Sequence, residues 1–94
     1  MHDIHRTWPK PIKVSAAASR AGTVPETIVR WCKRDGIGKQ LRPKAPWRVD
    51  PVGLAIVMAG DGVALAIFQS GDLSHRHIQQ YAETARMLEL RRRA

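Results

Sequence analysis

Hydrogen-bonding and basic side chains follow a helical repeat in the segment PETIVRWCKR. Ile28, Trp31 and Cys32 are spaced i, i+3 and i+4, which predicts the buried stripe of a helix. Six side chains are left for the outer and flanking surface, namely Glu26, Thr27, Val29, Arg30, Lys33 and Arg34. Such a surface can contact DNA bases in the major groove, with Arg30 suited to guanine and Lys33 and Arg34 to phosphates. The alternative is an ordinary surface helix with solvated charges.

A second group of basic residues surrounds a predicted β-hairpin. The segments IGKQL and WRV flank a proline-bearing loop, RPKAP, a pattern typical of two short antiparallel strands. Its basic side chains are Lys39, Arg42, Lys44 and Arg48. Placed directly after two helices, this hairpin predicts a wing that contacts phosphates or an adjacent minor groove, the alternative being a solvated loop. Trp47 is expected to fill the core.

Other chemistries are weakly represented in the sequence. The histidines form two pairs, His2 with His5 and His75 with His77, and neither pair has a further ligand at the spacing of a zinc site. No nucleophile elbow, P-loop or HExxH motif is present. We therefore predict no catalytic residue, no metal, no cofactor and no enzymatic activity.

Charge and size narrow the class of partner. The chain has 94 residues, enough for one domain, and a net charge of +8. Such an excess favours a polyanionic partner, either nucleic acid or an acidic membrane surface. Residues 14–50 hold eight of the 16 lysines and arginines but only three of the eight acidic residues.

The apolar stretch 51–68 is the one segment to consider as a membrane span. The Gly-Asp-Gly sequence at 60–62 interrupts it, and a charge there costs about 3 kcal/mol on insertion scales. Two short buried helices explain the stretch better, so we predict no membrane association. One cysteine excludes an internal disulfide, and the N-terminal segment lacks the apolar core of a signal peptide, so a cytoplasmic location is expected.

Capping residues and glycines divide the chain into five predicted helices. Ser15 and Thr23 are expected to cap the first two helices, which end at Gly22 and at Asp35-Gly36. Asp50 with Pro51, Asp61 and Ser74 are expected to cap the remaining three. The last helix carries an apolar face made of Ile78, Tyr81, Ala82, Ala85 and Leu88, and it is expected to fray into Arg91–Arg93.

The predicted fold is mainly α with a small β-hairpin, a winged helix-turn-helix followed by a C-terminal helical extension. Residues 1–13 are expected to form an extended arm held by Trp8, residues 14–50 the winged unit, and residues 51–94 the extension. The segments VGLAIVMA and VALAIF are apolar nearly all round, so their surface is buried either in this chain or against another protomer. The candidate contacts between protomers are Phe68, Ile78, Tyr81 and Leu88.

The run VSAAASRAGTVPETIVRWCKRDGIG, with the following hairpin ending in WRVD, resembles the excisionase-like and MerR-like winged helix-turn-helix superfamily. The segment VDPVGLAIVMAGDGVALAIFQSGDLS is similar to small excisionases of integrative elements. Two positions depart from the family pattern: Val24 replaces a serine cap and Val29 replaces the first of two arginines. The resemblance implies binding to double-stranded DNA.

Three functions are consistent with these features. The first is an excisionase that binds repeated DNA sites cooperatively, bends the DNA and directs a tyrosine or serine integrase toward excision of an integrated element. The second is a dimeric transcriptional regulator that binds a palindrome. The third is a DNA-binding adaptor of a packaging complex. Directly repeated sites favour the first, inverted repeats the second, and tight binding to a partner protein the third.

Overall fold

A computed structural model describes residues 8–93, with side chains described from Trp8 to Leu88. This part of the chain forms five helices and a three-stranded antiparallel sheet, which confirms the prediction of a mainly helical fold with a small β element. The helices are α1 (Val14–Ala21), α2 (Pro25–Asp35), α3 (Pro51–Ala59), α4 (Gly62–Ser70) and α5 (Arg76–Arg93). The strands are β1 (Ile12–Lys13), β2 (Gly38–Lys39) and β3 (Arg48–Val49).

The sheet has the order β1-β3-β2, so the last strand in sequence lies in the centre. Pairing of β2 with β3 confirms the predicted hairpin, whose connection covers residues 40–47. Strand β1 comes from the segment expected to be an extended arm, and it pairs with β3 through Ile12 opposite Val49. The sheet therefore gains a strand that no local pattern indicated. Residues 1–7, the remainder of that arm, lie outside the described residues.

The starts of α1, α2 and α5 differ from the predicted caps. Helix α1 begins directly after β1, which places Ser15 inside its first turn, where its hydroxyl makes no cap hydrogen bond. Helix α2 begins at Pro25, so its N-cap is Val24, an aliphatic residue with no side-chain acceptor. Thr23 lies before the cap position, and its amide donates to the Ala18 carbonyl at the end of α1. The predicted Ser15 and Thr23 caps are therefore wrong.

The predicted Ser74 cap of α5 is wrong as well. The Ser74 hydroxyl donates to the Asp72 carboxylate at 3.1 Å and is turned away from the helix. The Nδ1 atom of His75 accepts a hydrogen bond from the His77 amide at 3.1 Å, so an imidazole performs the capping. Histidine is not among the residues preferred at this position, which is why sequence pattern did not indicate it.

Asp50 caps α3, as predicted, and also fixes the N-terminal segment. Its Oδ1 atom accepts from the Val52 amide at 2.8 Å, while its Oδ2 atom accepts from Trp8 Nε1 at 3.1 Å. Burial raises the pKa of Asp50, although these hydrogen bonds oppose the shift. One carboxylate thus joins Trp8 to the start of α3.

The apolar side chains form two clusters that meet at α3. The sheet-side cluster consists of Ala17, Ala18, Ile28, Cys32, Ile37, Val49 and Leu54. The helical cluster consists of Val52, Ile56, Ala64, Ile78, Ala82 and Ala85. Leu65 and Phe68 of α4 pack against both clusters. Much of the surface of α3 is therefore covered within this chain, whereas α4 fully buries Ala64 and leaves Val63 66% exposed.

Burial changes the set of candidate contacts between protomers. Ile78 is fully buried in the helical cluster, so its side chain is not available to a second chain and that prediction is wrong. Phe68 packs inside this chain, and Tyr81 is hydrogen-bonded to Asp61. Leu88, by contrast, is 44% exposed, and Met58 of α3 is 50% exposed.

Asp61 joins the start of α4 to α5. Its carboxylate caps α4 by accepting from the Ala64 amide at 3.0 Å, as predicted, and contacts the Tyr81 hydroxyl and His77 Nε2, each at 2.8 Å. The Ala64 amide, followed by the Tyr81 hydroxyl, holds the pKa of Asp61 below its ordinary value. Burial and the neighbouring carboxylate raise the pKa of Tyr81, so the phenol stays protonated as the donor.

Within the described residues, no helix combines the length and the apolar character needed to cross a membrane.

Replacement of Gly53 tests how tightly α3 packs. A Cβ atom at this position would lie 2.8 Å from Cγ2 and 2.9 Å from Cβ of Ile37, a β-branched residue with little freedom to move. We expect Gly53→Ala to lower the free energy of unfolding by about 1–3 kcal/mol, as overpacking does, despite the better helix propensity of alanine. The measurement is equilibrium unfolding in urea.

Gly62→Ala is the matched control, since a Cβ atom there meets no atom within 4 Å. This change is expected to be neutral or to stabilise by up to about 1 kcal/mol. Equal effects of the two substitutions would contradict the tight packing of α3 against Ile37.

The dependence of thermal stability on acid pH tests the contacts of the Asp61 carboxylate. Because folding lowers the pKa of Asp61, its stabilising contribution is complete above the ordinary carboxyl pKa of about 4 and is lost as the pH falls further. We expect Asp61→Asn to lower the Tm at pH 7 and to make the decline of Tm below about pH 4 shallower than in wild type. Thermal unfolding between acid and neutral pH measures both. Glu83→Gln, at an exposed carboxylate, is the control, and an Asp61→Asn profile parallel to wild type would contradict this role.

Candidate nucleic-acid interface

Helix α2 is held by its buried stripe, which directs the opposite face outward. Ile28 is fully buried, Cys32 is 3% exposed, and Trp31 is half-buried against the same cluster, as the apolar spacing predicts. Burial raises the pKa of the Cys32 thiol, which keeps it protonated and suits a packing role. A Cβ atom at Gly38 would collide with Sγ of Cys32, so glycine at this position permits β2 to approach α2 closely.

The outer face of α2 brings together most of the side chains that the sequence singled out. A shallow depression of about 440 Å³ is lined by Glu26, Val29, Arg30, Lys33 and Arg34. Thr27 is half-buried and lies outside this lining. Five of the six predicted residues therefore share one surface.

Arg34 has a structural partner on its own helix. Its Nε and Nη2 atoms donate to the Asp35 carboxylate at distances of 3.0 and 2.7 Å, and this carboxylate raises the pKa of Arg34. The Asp35 backbone oxygen in turn accepts from Gln69 Nε2 at 3.0 Å, which links the end of α2 to α4. The sequence analysis expected Arg34 to contact phosphate alone and did not predict its pairing with the Asp35 carboxylate.

Arg30 and Lys33 differ from Arg34 in having no carboxylate partner among the described side chains. Neither forms an ion pair with a residue in the described part of the chain, and both side chains are exposed. Their positive charges are therefore available to an external anion without first breaking an internal contact.

The basic residues of the hairpin are exposed on the strands and on the loop. Lys39 lies directly opposite Arg48 in the β2–β3 register, and Arg42 and Lys44 lie in the connecting loop. Lys44 has a left-handed backbone with a φ of 68°, which is uncommon for a residue other than glycine. Gln40 Nε2 donates to the Ala45 carbonyl at 2.9 Å and closes the loop.

Two residues near the hairpin were absent from the predicted interface. Leu41 is 88% exposed, an unusual position for a large apolar side chain, and it lies two residues after the end of β2. Lys13 is exposed on β1 and lies opposite Arg48. Leu41 was visible in sequence as an apolar residue inside a basic loop, whereas Lys13 required knowledge of strand pairing. Trp47 packs against the sheet-side cluster, as predicted.

In the described part of the chain, no three side chains of His, Cys, Asp and Glu are placed to hold a metal ion together. His77 is engaged with Asp61, and His75 caps α5. His2 and His5 lie outside the described residues, as do the side chains of Arg91–Arg93.

A separate groove of about 360 Å³ is lined by residues of α3 and α5 together with Arg20 of α1. Its lining is mostly apolar and includes Pro51, Leu54, Ala55, Met58, Ala85 and Leu88. Two of these residues, Met58 and Leu88, are the exposed apolar side chains noted above. This groove presents an apolar surface on the side of the molecule formed by the C-terminal helices.

We found no match to this chain among models of known protein families, proteins of curated function or solved structures.

Proposed function

We propose that this protein binds double-stranded DNA through a winged helix-turn-helix. In this proposal α1 and α2 form the helix-turn-helix, α2 enters the major groove, and the β2–β3 hairpin is the wing. The observation that carries the proposal is the outer face of α2, where Arg30 and Lys33 are exposed, free of ion pairs among the described residues, and grouped in one depression.

Four of the five side chains that line this depression have a chemically suitable role, Glu26 being the exception. Arg30 can donate two hydrogen bonds to the O6 and N7 atoms of guanine. Val29, and Thr27 at the edge of the face, can contact thymine methyl groups, while Lys33 suits a phosphate. Arg34 is expected to contribute less, because two of its donor atoms are already used on Asp35.

The wing and the charge distribution support the same proposal. Residues 14–50 hold half of the lysines and arginines of a chain whose net charge is +8. The hairpin adds Lys39, Arg42, Lys44 and Arg48, all of them exposed. Positive charge on both elements suits contacts to phosphates on either side of a major-groove site.

Within DNA binding, the role we propose is that of an excisionase. Such a protein needs no catalytic group: it bends DNA at repeated sites and assists a separate tyrosine or serine integrase. Smooth bending of a short site costs on the order of 1–6 kcal/mol, which contacts between adjacent protomers can offset. The apolar groove with Met58 and Leu88 is the surface we propose for these contacts.

A dimeric transcriptional regulator is the second candidate, and one observation favours it. Helix α5 has 18 residues, twice the length of the nine-residue α3 and α4. Met87 and Leu88 are both exposed on it, at 55% and 44% respectively. A long helix with exposed apolar residues is a suitable element for a two-fold interface.

Footprinting with a single substitution tests the proposal. The full chain is footprinted at fixed salt on DNA flanking its own gene, and wild type is compared with Arg30→Ala. Loss of a bidentate guanine contact is expected to weaken specific binding by about 1–3 kcal/mol and to relax selection at one base pair. Arg76→Ala, at an exposed arginine that begins α5, is the charge-matched control and should leave the footprint unchanged.

The pattern of protection separates the roles. Several phased direct repeats support an excisionase, and a single palindromic footprint supports the regulator. Absence of a specific footprint at moderate salt, or equal effects of Arg30→Ala and Arg76→Ala, would contradict recognition of DNA by α2.

A further inference from the structure

Three basic side chains form a row across the sheet. In the antiparallel register, Lys13 of β1 and Lys39 of β2 both lie opposite Arg48 of β3. Residues directly opposite one another in a sheet project from the same face. All three side chains are exposed. We refer to Lys13, Arg48 and Lys39 as the basic row.

The basic row faces away from α2. The adjacent positions in the register are Ile12, Val49 and Gly38, which project from the other face of the sheet. Val49 is fully buried, and a Cβ atom at Gly38 would meet Cys32 of α2. The inner face of the sheet therefore packs on α2, and the basic row lies on the outer face.

The residues described by the structure supply no ion-pair partner for the basic row. Within residues 8–88, none of its members forms an ion pair. The charge of Lys39 acts to lower the pKa of Asp50, but this carboxylate already accepts hydrogen bonds from Trp8 and from the start of α3. Like charges directly opposite in a sheet destabilise the folded state. An external polyanion would relieve this repulsion.

We propose that the basic row is a second phosphate-binding surface, and that Lys13 belongs to the DNA interface. This inference rests on the proposed DNA binding and extends it. Strands are about 4.8 Å apart, so the row is about 10 Å long and can contact more than one phosphate of a DNA strand. Because the row points away from α2, these phosphates belong to DNA that flanks the segment in contact with α2.

Salt dependence of binding tests this proposal directly. The affinity of the full chain for a random-sequence 30-bp duplex is measured by fluorescence anisotropy at several salt concentrations. Each phosphate contact contributes about 0.9 to the slope of log K against log salt. We expect Lys13→Ala and Arg48→Ala each to reduce this slope by about 0.9, and the double variant by about 1.8.

Two control variants accompany these measurements. Lys13→Arg preserves the charge and should preserve the slope. Arg76→Ala removes an exposed arginine from α5, outside the sheet, and should leave the slope at the wild-type value. Circular dichroism melting of each variant verifies that the fold is retained.

The outcomes distinguish this inference from the proposed function. If wild type shows a specific footprint that Arg30→Ala weakens, but Lys13→Ala keeps the wild-type salt slope, the proposal that the basic row binds phosphates is overturned. The proposed function then stands. If wild type does not bind the duplex at low salt, both fail.

An acidic membrane surface is the alternative polyanionic partner. Sedimentation with phosphatidylserine vesicles measures binding of wild type and of the same variants to such a surface. Binding to vesicles that Lys13→Ala abolishes, together with an unchanged DNA slope, would overturn the assignment to DNA. Vesicle binding that does not depend on Lys13, with a reduced DNA slope, would support it.

Discussion

Burial of α3 on two opposite sides is the constraint on which the rest of the structure depends. This helix is apolar nearly all round, so it cannot lie on a surface without exposing a large hydrophobic area to water. The fold resolves this by placing Leu54 in the sheet-side cluster and Val52 and Ile56 in the helical cluster. Gly53 permits the closest approach, because any larger residue would collide with Ile37, the residue that leads into β2.

The same constraint fixes the position of α2. The sheet-side cluster holds α2 through Ile28 and Cys32, and the Asp35 backbone oxygen receives a hydrogen bond from Gln69 of α4. Helix α2 is therefore packed against a unit that includes the C-terminal helices. A helix held in this way favours binding of a partner, since side chains that already point outward lose less conformational freedom on binding.

Several basic side chains form no ion pair with a described residue and so add little to the stability of the fold. Arg30, Lys33 and the basic row have no ion-pair partners in the described part of the molecule, whereas Arg34 is paired with Asp35 and contributes to the structure. Surface ion pairs stabilise proteins weakly, so leaving Arg30 and Lys33 unpaired costs the chain little stability while both side chains remain accessible. The basic row differs, because its three like charges lie directly opposite one another in the sheet.

The sequence by itself determined the helices, the glycine ends of the first two at Gly22 and Gly36, and the outer face of α2, because periodicity and capping act over a few neighbouring residues. It also determined the Asp50 and Asp61 caps. Only the tertiary structure decided that β1 joins the sheet, that Lys13 lies beside Arg48, and that Ile78 is buried inside this chain. Three helix starts also differ from the expected caps. Helix α1 follows directly on β1, α2 begins after Val24, and the side chain of His75 caps α5. Strand pairing and helix contacts join residues far apart in sequence, and no local pattern of residue types contains that information.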